Sequence, residues 1–194
     1  MKKIFLALTI ALTLIGNFVE AADITDDQCK KIVQDVGQLK IDSTFQMDAD
    51  AFQTRFNWYI VPIIQDALDK DDVPEVIRLF VLKNYDVSDA ADGKVYLGRF
   101  EYRGAAVAFL STADGEHLKA LNLYYATPEK KEYAVFTSWL LTAFVGSIST
   151  DIDTRELMGE LTADGSSGSV VKDGFKFSIA EDGNLNILSV TKAQ

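Results

Sequence analysis

Cysteine and histidine are almost missing from this chain: its 194 residues contain one of each, Cys29 and His117. A lone cysteine excludes any disulfide within the chain, so packing must hold the fold. A lone histidine, beside Glu116 and Lys119 just past an Asp-Gly turn, is too little for a zinc-ligand set, a catalytic triad, or a general base with an orienting partner. There is no Gly-rich phosphate loop, and no metal or cofactor is expected. Positive charge is also scarce. Nineteen Lys and Arg face 29 Asp and Glu, a net charge of −10. A nucleic-acid surface needs a basic stripe, which is absent here, so nucleic acid is excluded as a partner. An acidic chain of this kind suits solubility, or a protein partner with a basic surface.

Charge is missing altogether from Ile4 to Ile15, an apolar run behind Lys2 and Lys3 and ahead of Val19-Glu20-Ala21. This is the pattern of a secretory signal peptide, with cleavage expected after Ala21. Periplasmic or secreted localisation follows. Cleavage removes two positive charges and one negative, so −10 becomes −11. A second uncharged run, Tyr133 to Thr150, reaches the lower limit for a membrane span. It contains Thr137, Ser138, Thr142, Gly146, Ser147 and Ser149. Strand-like meanders on both sides of it would have to fold on opposite sides of a bilayer. A buried central helix is expected instead, with no span after signal cleavage.

What the chain does have is repetition. One unit runs from about Phe52 to Thr127, a second from about Tyr133 to Ala193. Each reads as an apolar helix, a short acidic-capped segment and three strand-like runs, with Asp114-Gly115 and Asp182-Gly183 at corresponding turns. The expected division is residues 1–21 as signal peptide, 22–47 as an N-terminal helix and linker, 48–127 as a first α+β half and 128–194 as a second. In the N-terminal helix, Thr25 and Gln28 form a capping box, Gly37 is placed as the C-cap, and Cys29, Ile32, Val33, Val36 and Leu39 share a face. This pattern makes Cys29 a buried structural thiol. The next helix spans about Asp48 to Asp69, with Phe52, Phe56, Tyr59, Ile60, Ile63 and Ala67 inward and a kink or break expected before Pro62. A further start is expected at Asp72. Strands are expected at Val95–Tyr102, Ala105–Thr112 and Leu118–Tyr125, then at Val170-Val171, Phe175–Ile179 and Leu185–Thr191. In the first of these, the face with Tyr96, Phe100 and Tyr102 is the expected core face. The acids Asp66, Asp69, Asp71, Asp72 and Glu75 lack the glycine and glutamate of a calcium loop and read as a solvated turn. Asp86, Asp89 and Asp92-Gly93 read as a polar loop.

The fold class is therefore α+β, in tandem helix-helix-β-β-β halves, with helices on one face of antiparallel meanders and the other face open. In topology alone this layout resembles secreted β-lactamase-inhibitor proteins and small outer-membrane-assembly lipoproteins. The disulfides of the former and the lipid-bearing cysteine of the latter are absent. The likeness implies a binding role. A non-catalytic exported binding module acting through an open sheet face is the first expectation. A carboxylate-based hydrolase and an envelope structural or assembly factor are the alternatives. Trp58, off the buried stripe of its helix, and Tyr124, on a strand face with Asn122, are the candidate interface residues.

Overall fold

The computed structural model describes residues 23–68, 81–100, 104–126, 134–163 and 168–193. The signal peptide, the helix start at Asp72 and the opening of the second half at Pro128 lie outside these residues. The described chain forms α1 (Asp26–Gly37), α2 (Ala49–Leu68), β1 (Asp86–Ala90), β2 (Gly93–Arg99), β3 (Ala105–Ser111), β4 (Leu118–Ala126), α3 (Ala134–Ile148), α4 (Thr154–Thr162), β5 (Gly168–Lys172), β6 (Phe175–Asp182) and β7 (Leu185–Lys192). All seven strands share one antiparallel sheet in the order β1-β2-β3-β4-β7-β6-β5. Two helices precede each run of strands, an order consistent with tandem halves, although α1 belongs to the 22–47 segment and the second helix expected in the first half, from Asp72, lies outside the described residues.

The last strand of each half meets the other at the centre. β4 and β7 pair antiparallel, with Leu123 opposite Leu188 and Leu121 opposite Val190. The spatial order β2-β3-β4 is thus repeated in reverse by β7-β6-β5, as if turned about an axis between β4 and β7. The first half has one strand more. β1 reads DVSDA and carries half-exposed or exposed residues throughout. No alternation of apolar residues marks it, which is why its sequence reads as a loop.

Helices α2, α3 and α4 cover one face. From α2, Phe52, Phe56, Ile60 and Ile64 point inward, and Tyr59 and Ile63 are half-buried. They meet Val107 and Phe109 of β3, Leu121, Leu123 and Tyr125 of β4, and Leu188 and Val190 of β7. Phe52 lies at the junction, 4.7 Å from the Phe109 ring and 5.7 Å from that of Phe144 on α3. Helix α3 is apolar nearly all round and buried on nearly all sides. Among the described residues no helix is long and apolar enough to cross a membrane. Pro62 does not break α2, which runs through it. Proline disturbs the carbonyl four residues earlier, here that of Trp58, and both residues lie on the solvent side where water can satisfy it.

The opposite face is not left open throughout. Helix α1 lies across it, with Cys29, Ile32 and Val36 packed on Val95, Leu97, Ala106, Ala108, Leu110, Ala120, Tyr124, Ala126 and Leu185. The Thr25–Gln28 capping box forms, each side chain bonding the other's backbone N–H. The C-cap is Gln38, one residue beyond Gly37. Gly37 is the last helical residue, and a Cβ there would make ordinary contact with Ala90, 3.4 Å away. After α1 the chain wraps round the end of the sheet. Phe45 N donates to Leu118 O at 2.7 Å and Leu118 N to Met47 O at 2.9 Å, before α2 begins on the other side. This wrap makes both faces of β2 core faces. Tyr96 is half-buried on the helical side, while Val95 and Leu97 are 1% and 4% exposed beneath α1.

Burial also pushes the Cys29 thiol above its ordinary range, with Arg99 pulling the other way. A buried, protonated thiol is a poor nucleophile. Reaction with a thiol reagent at neutral pH is expected to be slow in the native protein and to reach one equivalent only on unfolding. Fast native labelling would show that α1 does not stay on the sheet.

Candidate binding surface

The strand register sets the far face out in rows. One row runs Ser169 (β5), Ser178 (β6), Ser189 (β7), Asn122 (β4), Ala108 (β3), Leu97 (β2), Asp86 (β1). A second runs Val171, Lys176, Thr191, Ala120, Leu110, Val95, Ser88. In both the chemistry changes near β4. On the β1–β4 side the residues are mostly apolar and lie under α1. On the β5–β7 side they are mostly small, hydroxyl-bearing or charged. Ser169, Lys176 and Ala180 are exposed, Ser178, Ser189 and Thr191 half-buried, and Val171 is 62% exposed. Adjacent strands lie about 4.8 Å apart, so these mostly short side chains form a closely spaced platform.

Polar contacts from α1 mark its border. Lys31 binds Asp182 at the β6–β7 turn and Asp35 at 3.2 Å on its own helix. Gln28 donates to the Asn184 side chain at 3.0 Å. Asn122, where the first row passes from β7 to β4, is buried, and its amide donates to Ala108 O at 3.4 Å.

The two candidate interface residues fall on opposite sides of the sheet. Tyr124 is 6% exposed and lies under α1, where burial holds its phenol far above the usual range. It was expected at the surface because its strand neighbour is Asn122, but both are roofed over. Trp58 is 70% exposed on the outer side of α2, its ring edge-on to Tyr59 at 5.0 Å. Val61, 38% exposed, and exposed Pro62 follow it on the same side. Tyr59 in turn rests on α3, since a Cβ at Gly146 would stand 3.0 Å from its ring.

A cleft of about 680 Å³ opens where the N-terminus of α1 meets β2 and β3, lined by Asp23, Thr25, Asp26, Arg99, Phe100 and Ala105 among others. Among the described residues that line it, the one cation is already engaged. Arg99 binds Asp26 at 2.8 Å and Asp86 at 3.4 Å. His117 sits in the β3–β4 loop with Nδ1 2.8 Å from Glu116 O, and its backbone N–H bonds Thr112. Among the described residues, the two carboxylates held away from their ordinary range are both held below it: Asp114 by the Thr112 hydroxyl and the Glu116 N–H, Glu156 by Lys172. No group of three metal-ligating side chains comes together among the described residues.

These features define an α+β protein whose sheet is roofed on one face and half-roofed on the other. The chain matches no protein-family model, no curated protein sequence and no solved structure.

Proposed function

We propose that this chain is an exported, non-catalytic binding module that recognises another envelope or extracellular protein through the uncovered platform of β5, β6 and β7. One observation carries the reading: the side chains on the far face turn from mostly apolar to mostly small and polar where α1 stops. Such a surface is stable in water yet lets a partner approach the backbone closely. The terminal sequence pattern supports export. The charge of −10 favours a partner with a basic surface.

The test is affinity capture of the partner from periplasmic extract by the chain from Ala22 onward, repeated with Ala180→Arg. Ala180 is exposed on β6, one residue beyond the Gly168–Ile179 pair that ends the β5–β6 ladder, so the substitution leaves the core untouched. Binding is expected to fall by about tenfold or more and to weaken with added salt. A partner that binds wild type and Ala180→Arg equally would refute the platform as the site, and one lost on Trp58→Ala alone would move the site to the ridge on α2.

A further inference from the structure

We propose that β5 is an assembly edge that pairs with β5 of a second copy, giving a two-fold dimer with one continuous sheet. The inference is independent of the partner proposed above. It starts from the pseudo-symmetry of the sheet. β5 holds in the second half the place of β2 in the first. β2 carries an added antiparallel strand, β1, joined to it by the two-residue turn Ala91-Asp92. Among the described residues nothing occupies the equivalent position beside β5. The fold therefore shows, in its own first half, a short antiparallel strand added at the equivalent edge.

The turn geometry says which backbone groups are free. Asp173 and Gly174 both have positive φ, 51° and 75°, in a two-residue loop closed by the pair Lys172–Phe175. A turn of this kind closes on a pair that exchanges both backbone hydrogen bonds. Lys172, Val170 and Gly168 then bond inward to β6, while Ser169 and Val171 direct their N–H and C=O groups outward. A second β5 related by a two-fold axis at Val170 places Ser169 opposite Val171 and closes four backbone hydrogen bonds.

Charge favours this self-pairing. The other sheet edge, β1, carries Asp86 and Asp89 among five residues, the usual guard against edge-to-edge contact. β5 has one charged residue, Lys172, and it is bound within its own chain by Glu156 at 2.7 Å and Glu160 at 2.9 Å. In the two-fold register Lys172 faces Gly168, so no like charges oppose each other. Val171, 62% exposed in the monomer, gains a neighbour across the axis. The contact is short and so belongs to the weak class of interfaces. Because each chain is strongly acidic, added salt screens the repulsion and should strengthen it.

Sedimentation of the chain from Ala22 onward tests this. A concentration-dependent dimer is expected, tighter at high salt, lost in Val171→Pro and retained in Ala180→Arg. Proline at 171 removes an N–H that no bond within the chain uses, so the monomer keeps its fold. A second variant, Val170→Cys in a Cys29→Ser background, should form a covalent dimer on mild oxidation, because Val170 meets its own copy at the axis. A monomer at every concentration with no such disulfide would overturn the proposal. So would a dimer that Val171→Pro leaves intact. Loss of Ala180→Arg binding with dimerisation retained would separate the two surfaces.

Discussion

Replacing Phe52 with alanine is expected to remove about 3–5 kcal/mol of stability, measured as a shift of the urea midpoint at constant slope. Phe52 is fully buried, and its ring touches three others: Phe56 of its own helix at 5.9 Å, Phe109 of β3 at 4.7 Å and Phe144 of α3 at 5.7 Å. A cavity there opens at the point where the first half, through α2 and β3, meets the second, through α3. Neither half can close it alone, because its walls come from both. The loss is a large share of the 5–15 kcal/mol typical of a domain. It should appear equally in probes of either half. A variant that destabilises residues 48–127 while leaving 128–194 unchanged would show that the two cores are separate.

The second large effect comes from backbone proximity. A Cβ on Gly93 would fall 1.8 Å from the carbonyl oxygen of Ser111, the β3 residue that pairs with the neighbouring Lys94. No rotamer relieves a clash with main chain, so β2 must move away from β3. Gly93→Ala is expected to cost more than about 4 kcal/mol or to prevent folding. Gly159→Ala serves as the control. Nothing lies within 4 Å of a Cβ at Gly159, which sits inside α4, so alanine there should be stabilising by about 0.5–1 kcal/mol. Thermal unfolding of both variants measures the contrast. Near-equal melting temperatures would mean that β2 and β3 are not paired in this register.

These two predictions rest on features the sequence shows unequally. Local periodicity placed α1, α2, α3 and six of the seven strands within a few residues, because each buries at least one apolar face. β1 escaped because an edge strand with Asp86, Ser88 and Asp89 need bury little, and pairing rather than hydrophobicity holds it. The roof formed by α1 escaped for a different reason. A strand face shows its own residues, not what covers them. The cue lay in β3, AAVAFLS, whose seven residues are all buried. An unbroken apolar run in an antiparallel sheet signals cover on both faces, and the small size of its alternate alanines leaves room for a helix to settle close. Tyr124 was misplaced by the same omission. Trp58 could be read as exposed because its helix had a well-defined inner stripe. An open sheet face is expected from the sequence, but its extent is not. Ser169, Ser178 and Ser189 are joined into one row by the β5–β6 and β6–β7 pairings, and its border is set by where α1 lies, which no strand residue shows. The Asp-Gly pairs that reveal the repeat both fall at the expected strand-to-strand turns, but in different loops. Gly183, with φ 65°, and Asn184 form a two-residue loop between β6 and β7, whereas Asp114-Gly115 lies within the six residues between β3 and β4.

Native-state hydrogen exchange at the amides of β4 and β7 tests most directly whether the two halves are one body. If Leu121 and Leu123 share a ladder with Val190 and Leu188 over a common core, these amides should exchange only through global unfolding, at one free energy and with one denaturant dependence. Amides of β7 opening at a clearly lower free energy than those of β4, with a shallower denaturant slope, would contradict the continuous sheet and the platform built on it.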